Sequence, residues 1–446
     1  MNEQESSRAK QAWTYGLIMV SVVALVIAVA GLLRPSPDPE LTTVPTTSTP
    51  EPDPAAPMDV DIVEEPVDPT APIPGCETVE EPGEAEYTSS FSIVEDSYDN
   101  PKFPWFNGPK ATAMSNAAVA SLPPTAEIEF ASPERSLVFQ PISDFRDAQP
   151  EPKGYTYASA ALVNGDAKGS VFLQVQNNSD PIPACVAGYL DERRTTAEGV
   201  VVDVQDTWRE VDKVRTLTRS AHAYVSDQSW IHAAAYDNSG DGQFEQTGKI
   251  PLTIDDLVRI VTDPRLRVST PAPPGTPPPP QGCRHSFGSD GDVNAPRIDR
   301  AQAQRLDSVL ATIDLGGPRL NPLQPGGSAN DVLCSDNADV RSGAGLYVSI
   351  TGGQPLPTPE RPVPGSSGQQ EMRTLPDGTV VQTRQSSGSI STTSSPDNSQ
   401  RETTNSVEVT RPGGTQISVS SSAAVPNSPL SLEELESIAL TDGLEL

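Results

Sequence analysis

The sequence predicts an α+β protein with a single N-terminal transmembrane helix, a disordered acidic and proline-rich linker, and two tandem α+β modules. Three observations predict this class. Residues 14–33 form an uncharged apolar run, proline-rich stretches occur within 34–100 and at 269–282, and the chain on the two sides of the second stretch carries the same features in the same order. We expect each module to be an antiparallel sheet with helices on one face.

The apolar run at residues 14–33 is long enough to cross a bilayer. Twenty helical residues extend about 30 Å, the thickness of the hydrocarbon core. Two basic residues precede the run within residues 1–13, and only one follows it before residue 100. Because cytoplasmic flanks are enriched in Lys and Arg, we expect residues 1–13 to be cytoplasmic and the remainder extracytoplasmic. The A-x-A-like sequence Ala28-Val29-Ala30 leaves cleavage as a signal peptide as the alternative.

Acidic residues are concentrated in the stretch that follows the membrane segment. The formal net charge is -30, and residues 35–100 contain 17 Asp and Glu but no Lys or Arg. Such a composition repels itself and buries little apolar surface, so we expect residues 34–100 to be a largely disordered linker. The same charge argues against nucleic acid as a partner.

The rest of the chain is a tandem duplication of one unit. Copy 1 spans 101–268 and copy 2 spans 283–446, and a proline-rich divider at 269–282 separates them. In each copy the sequence predicts a helix, a strand, two hairpins and a closing helix, in that order. The closing segments PLTIDDLVRIV and PLSLEELESIA start at residues 251 and 429, 178 residues apart. The paired segments are 111–122 and 301–313 for the helix, 169–175 and 345–350 for the strand, 193–205 and 372–384 for the first hairpin, 222–236 and 407–422 for the second hairpin, and 251–268 and 429–446 for the closing helix.

The closing segments carry helix-start signals. Thr253 and Ser431 are N-cap candidates, and two acidic residues follow each of them in the first turn. The hairpins are predicted from Glu-Gly and Asp-Gly turn steps followed by alternating valines. Copy 2 has no tryptophan and carries a Ser/Thr-rich insertion at about 386–406, which we expect to be irregular or mobile.

The segments RTLPDGTVVQTR, VTRPGGTQISV and PLSLEELESIA resemble a group of actinobacterial envelope proteins. Those proteins share an N-terminal membrane segment or signal and repeats of an R-x-x-x-D-G turn, an R-P-x-G hairpin and a closing P-L-[TS]-x-x-[DE]-L helix. The resemblance covers the ends of both copies. It implies an actinobacterial envelope location and carries no implication of activity.

The four cysteines predict two disulfides. Cys76, Cys185, Cys283 and Cys334 all lie in the predicted exterior, and none is arranged as C-x-x-C. We expect one bridge in each copy, Cys76–Cys185 and Cys283–Cys334. Zinc is the weaker alternative, because the spacings are long and the chain has three histidines.

Several residues are candidates for chemistry, and each has a plainer interpretation. Residues 237–245 resemble the start of a calcium loop, but Gly248 stands where the bidentate acid belongs, so a turn is favoured. His222 and His232, flanked by Asp227 and Asp237, could form a base or a metal pair, or could be partly exposed surface.

Several basic and aromatic side chains also have both a functional and a structural interpretation. Arg193, Arg194 and Arg373 precede the hairpin turns and could bind an anion, although structural salt bridges are favoured. The segment 103–106, with Trp105 and Phe106, is either an exposed platform for a partner or glycan, or a cover over its own core.

No catalytic motif, cofactor site or metal site is predicted. The leading hypothesis is a non-enzymatic, membrane-anchored envelope protein that binds an envelope protein or a cell-wall component. Its possible binding surface comprises Trp105, Phe106, Trp208 and Trp230. The alternative is an extracytoplasmic small-ligand or sensory domain with a concave cavity in copy 1 lined by Trp208, Trp230 or Tyr224. The third hypothesis is an enzyme, which requires His222, His232 and a carboxylate to converge.

Overall fold

Four helices and nineteen strands make up the part of the chain that the computed structural model describes. That part comprises residues 62–83, 92–146, 153–238, 246–280, 282–283, 298–314, 320–326, 332–341, 343–358, 369–392 and 395–446. The elements of the first module are β1 (Ile62–Glu64), β2 (Val79–Glu80), β3 (Ser92–Ser97), α1 (Gly108–Ser121), β4 (Ala126–Ile128), β5 (Ile142–Arg146), β6 (Tyr155–Asn164), β7 (Ala167–Asn177), β8 (Cys185–Val186), β9 (Glu192–Thr195), β10 (Val201–Val211), β11 (Val214–Tyr224), β12 (Ser229–Tyr236) and α2 (Ile254–Val261). Those of the second module are α3 (Arg300–Leu310), β13 (Gln324–Gly326), β14 (Val332–Arg341), β15 (Ala344–Thr351), β16 (Gln369–Thr374), β17 (Val380–Thr392), β18 (Ser395–Thr410), β19 (Gln416–Ala424) and α4 (Leu432–Ala439).

The two modules have the same sheet topology. The first sheet has eight antiparallel strands in the order β1-β10-β11-β12-β7-β6-β4, with β9 also paired to β10. The second has seven strands in the order β13-β14-β15-β19-β18-β17-β16. The first sheet, followed from β4 to β9, has the same strand order as the second. The prediction of two tandem α+β sheet modules is therefore confirmed.

Each sheet buries one face, because residues alternate between the two faces of a strand. Along β12, Ile231, Ala233 and Ala235 are fully buried and belong to the core of the first module. Met114 of α1 and Leu257 of α2 join the same core, so both helices cover that face. The core of the second module is likewise formed by residues from both helices and the sheet. They include Leu306, Leu346, Val348, Val407, Val419, Leu435 and Ile438.

Both closing helices begin with the predicted cap. The Thr253 side chain accepts a hydrogen bond from the Asp256 amide, and the Asp256 carboxylate accepts one from the Thr253 amide, which completes a capping box. Ser431 and Glu434 make the same pair of bonds at α4. The caps satisfy amides that would otherwise have no intrahelical partner.

Replacing the cap residue should weaken each module by a modest amount. We expect Ser431→Ala to lower the free energy of unfolding by about 1 kcal/mol, because the Glu434 amide loses its acceptor. Urea unfolding of the full-length protein would measure the loss. Ser437→Ala, at an exposed position in the same helix, is the control and should be neutral or slightly stabilising. Equal losses for the two variants would contradict the capping role.

The expectation that the insertion at about 386–406 is irregular is wrong. Residues 386–392 and 395–406 extend the β17/β18 hairpin, in which Ser386 pairs with Thr404 and Gly388 with Glu402. Hydroxyl side chains bond across the strands, at 3.2 Å between the Oγ of Ser387 and the Oγ1 of Thr403. Cross-strand Ser and Thr pairs stabilise a sheet, and composition alone does not reveal them.

The predicted linker 34–100 extends too far at its C-terminal end. Strand β1 pairs with β10, so Ile62 is already part of the first sheet. The parallel pair β2/β8 and the antiparallel pair β3/β5 also begin within this range. The predicted membrane segment, 14–33, lies outside the described residues. Within the described part of the chain, no helix combines the length and the apolar character needed to cross a bilayer.

The predicted disulfide pairing is confirmed. Cys76 is bonded to Cys185 and Cys283 to Cys334, one bridge in each module. Structural disulfides persist in oxidising compartments, so they indicate an extracytoplasmic location for the modules.

The proline-rich divider lies against the first module. The Lys110 ammonium group, buried at the start of α1, donates a hydrogen bond of 2.6 Å to the Arg267 carbonyl and another to the Thr270 carbonyl. A Cβ atom at Gly108 would lie 3.2 Å from Pro278, which is tighter than nearly all real contacts. The divider is therefore held at the start of α1 by charge and by close packing.

Candidate functional site: the outer face of the first sheet

Aromatic side chains cover the face of the first sheet that lies opposite the helices, here called the outer face. Neighbouring rings form a nearly continuous series across strands β11, β12, β7 and β6. Consecutive ring centroids lie between 4.7 and 6.4 Å apart. The members of this series, called the aromatic face below, are Tyr155, Tyr157, Phe172, His222, Tyr224, Trp230 and His232.

Strand register brings this set together. His222 pairs with His232 across β11 and β12, and Tyr224 pairs with Trp230. Gln174 of β7 pairs with both His232 and Tyr157, which places Tyr157 in the same cross-strand row as the two histidines. Ring centroids are 5.4 Å apart for the two histidines and 5.0 Å apart for Tyr224 and Trp230, within the range of favourable aromatic contacts.

The two histidines are neutral at neutral pH. Burial lowers the pKa of His222 to about 4, and the neighbouring His232 lowers it further while Asp203 opposes the shift. Burial also lowers the pKa of His232. Neutral imidazoles suit an aromatic surface, because two imidazolium groups at this separation would repel each other.

A carboxylate lies beside the histidines, but it is already paired. Asp203 sits directly across from His222 in the β10/β11 register. Arg193 binds it with two hydrogen bonds, of 2.6 and 2.8 Å, and only 11% of the Asp203 side chain is exposed. The Tyr224 hydroxyl also donates to Asp203, and burial is the main reason that the pKa of Tyr224 is raised. This network fixes the edge of the aromatic face.

The carboxylates predicted to act with the histidines do not reach them. Asp227 accepts hydrogen bonds from the Ser229 amide and from the Ser269 hydroxyl. Asp237 is buried and accepts from the Leu217 amide at 2.9 Å. Residues 239–245 of the suggested calcium loop lie outside the described residues. Within the described ranges, no group of three or more His, Cys, Asp or Glu side chains is placed to hold a metal ion.

The four residues of the predicted binding surface are dispersed. Trp230 lies on the aromatic face. The guanidinium group of Arg215 lies over the Trp208 ring, with its central carbon 3.7 Å from the ring centroid. Phe106 is only 3% exposed and belongs to the core, and Trp105 packs against that core, so this pair covers the first module instead of presenting a platform.

The arginines before the hairpin turns make structural salt bridges. Arg194 reaches Asp255 of α2 at 3.0 Å, and Arg373 binds Glu436 of α4. Each arginine therefore ties the first hairpin of its module to the closing helix. No anion site is needed to explain them.

The second module lacks the aromatic face. The turn bonds Val225 to Ser229 and Arg411 to Thr415 align β11/β12 with β18/β19 and give the equivalent positions. Glu408 then stands at the position of His222, and Tyr347, at the position of Phe172, is the one aromatic ring among the seven equivalents. The others are Thr410 for Tyr224, Gln416 for Trp230, Ser418 for His232, Cys334 for Tyr157 and Val332 for Tyr155.

Two cavities open on the outer face of the first sheet. One, of about 540 Å³, lies between residues 64–73 and the sheet and is lined in part by Trp208. The other, of about 610 Å³, is lined by Phe172, Tyr236 and two arginines, among others. Neither of these two is lined by Trp230 or Tyr224. Both fall within the usual size of small-ligand sites.

Comparisons of the chain with protein-family models, curated proteins and solved structures give no match. The function of the outer face is therefore argued from its own chemistry.

Proposed function

We propose that the chain is a single-pass envelope protein whose extracytoplasmic modules bind another envelope component without catalysis. Residues 14–33 would be the anchor and residues 1–13 the cytoplasmic tail. The aromatic face of the first module is the binding surface. Its partner is an envelope protein or a cell-wall component.

The observation that carries this proposal is the difference between the two outer faces. The two modules have the same strand order and similar but separate cores, so stability alone does not require a series of aromatic rings on one outer face and mainly polar side chains on the other. Tyr155 and Tyr157 remain 40% and 36% exposed at one end of the face. Large aromatic side chains at partly desolvated positions commonly dominate binding energy.

The site also argues for binding over catalysis. Proton transfer needs a group that exchanges its proton near the working pH. Here His222 has a pKa of about 4, and the carboxylate across from it, Asp203, is held by Arg193. The enzyme hypothesis receives no support from this arrangement.

Site-specific photocrosslinking in cells of the native host would test the proposal. A photoreactive residue at Tyr155 should give one dominant adduct. The same residue at Val332, the equivalent position in the second module, is the matched control and should not give that adduct. Trp230→Ala should weaken binding by about 2 kcal/mol, and thus lower the yield of the adduct, because it removes the largest ring of the aromatic face. Equal adducts at the two positions, or no effect of Trp230→Ala, would refute the role of the aromatic face.

A second candidate function, recognition of a small ligand, is favoured by the cavities on the outer face. A cavity of about 610 Å³ is large enough to enclose most of a small molecule. With a short cytoplasmic tail, such a domain would act through a partner. Loss of ligand binding and loss of crosslinking are independent measurements, so the two candidates can be separated.

A further inference from the structure

We infer that the larger cavity on the outer face of the first sheet binds a small organic acid, with its anionic head between two arginines and its apolar body on Phe172. This inference rests on the small-ligand candidate and names the ligand class for it. The cavity is lined by Arg135, Arg209, Phe172, Val211, Thr218 and Tyr236, among others.

The cavity exists because the β10/β11 hairpin is longer than its neighbours. Pairing between β11 and β12 ends at Thr218 and Tyr236, whereas β10 and β11 continue to Val211 and Val214. The projecting part of the hairpin places Arg209 beside the outer face. Arg135, at the end of a 3-10 helix, contributes from the other side of the cavity, near strand β6.

Most charged side chains of the projecting hairpin lie on the face away from the cavity. Residues 206, 210, 215 and 219 alternate with those on the outer face, and they pair among themselves. Asp206 binds Arg219 at 2.9 Å and Glu210 binds Arg215 at 3.3 Å. Asp206 and Glu210 are thus engaged on the face away from the cavity.

Arg209 is the cation available to a ligand. Its cross-strand neighbours are the uncharged Thr216 on β11 and Glu64 on β1. Its ion pair with Glu64 is 3.7 Å long, and both side chains are more than half exposed. Exposed pairs of this kind contribute little, so an anion in the cavity can replace Glu64 with little loss. A guanidinium group also matches the geometry of a carboxylate better than an ammonium group does.

The remaining lining suits an apolar body with few polar contacts. Phe172 and Val211 supply apolar surface, and the hydroxyl groups of Thr218 and Tyr236 supply hydrogen bonds. The net charge of -30 makes the whole chain repel polyanions, so a small monovalent acid fits better than an anionic polymer.

The second module provides an internal comparison. Register places Gly388 opposite Glu402 where the first module has Arg209 opposite Thr216. Asp336 stands at the position of Ser159, another residue that lines the cavity. At these described positions the second module therefore offers an acid two carboxylates, and a glycine in place of Arg209. The site is therefore specific to the first module.

The test uses the full-length protein in detergent with two fluorinated probes, 4-(trifluoromethyl)benzoate and its neutral amide, followed by fluorine NMR. We expect the benzoate to bind at least tenfold more tightly than the amide. Arg209→Gln should remove most of that preference, and Arg135→Gln provides a second, independent variant. Arg215→Gln, on the opposite face of the same hairpin, is the matched control and should leave binding unchanged.

The possible outcomes separate this inference from the proposals on which it builds. Equal binding of benzoate and amide, or an equal loss in Arg209→Gln and Arg215→Gln, would overturn the organic-acid assignment while leaving the small-ligand candidate standing. Binding of neither probe would remove both. A partner adduct at Tyr155 that survives either result would leave the role of the aromatic face intact.

Discussion

Replacing Cys76 and Cys185 together with serine is expected to lower the free energy of unfolding of the first module by about 2–5 kcal/mol. The bridge closes a loop with a sequence separation of 109 residues. In the chain-entropy account, removing a crosslink over so long a loop gives the unfolded chain much more freedom. The bridge also ties the segment that contains β1 to the loop between β7 and β9.

Tryptophan fluorescence can follow this loss in the first module alone. Three of the four tryptophans, Trp105, Trp208 and Trp230, lie in the first module and the second module has none, so a Trp13→Phe background removes the signal of the fourth. The control replaces Cys283 and Cys334 with serine, which opens a loop with a separation of 51 residues in the second module. That variant should leave the tryptophan transition in urea unchanged. A comparable shift in both variants would show that the two modules do not unfold as separate units.

Acidification from pH 6.5 to pH 4 is expected to destabilise the first module through His222 by at most about 3 kcal/mol. The pKa of this imidazole is lowered to about 4 in the folded protein, chiefly by burial. Above pH 6.5 the side chain is neutral in both states. Between pH 6.5 and pH 4 the unfolded chain takes up a proton that the folded chain does not, so stability falls. Urea titrations at several pH values, followed by tryptophan fluorescence, would measure this slope.

The matched residue of the second module should show the opposite dependence. Glu408 occupies the position of His222, and burial raises its pKa. Its contribution to stability is present below the unfolded pKa and is lost as pH rises through the folded pKa. His222→Gln should therefore flatten the acid slope of the first module, and Glu408→Gln should flatten an opposite slope in the second, measured by hydrogen exchange. An unchanged slope in His222→Gln would contradict the assignment.

The elements with local signals were predictable from the sequence. The signals for a closing helix are its N-cap residue, its acidic first turn and its apolar periodicity. All of them lie within one short stretch of chain, as at Thr253 and Ser431. Hairpin turns have the same property, because Glu-Gly and Asp-Gly steps determine them locally. The disulfide pairing followed from the assignment of one pair of cysteines to each copy.

The parts that depend on register were not predictable. Proximity in sequence predicts Asp227 and Asp237 as the partners of the two histidines, whereas the neighbour in the structure is Asp203 on the adjacent strand. The aromatic face gathers rings from residues 155–232, and no local sequence pattern indicates which of them share a cross-strand row. Alternation of aromatic and small residues in 222–236 is the one signal that could have indicated it.

Strand β1 was missed for a related reason. Three residues, IVE, within an acidic and proline-rich stretch give too little periodicity to predict a strand. Pairing with β10 supplies what the local sequence lacks, a tertiary effect that propensity does not contain.

The position of the Cys76–Cys185 bridge determines how the first module would respond to mechanical load. In an anchored protein, tension from the membrane side enters through the segment that carries β1, which lies at the edge of the sheet. An edge strand pulled from one end separates one hydrogen bond at a time. The covalent bond to Cys185 lies after β1 in the chain and carries the load into the module, so detachment of β1 would not expose the rest of the sheet. A partner held on the aromatic face would then be linked to the anchor through the first module, and the second module would remain outside the path of the force.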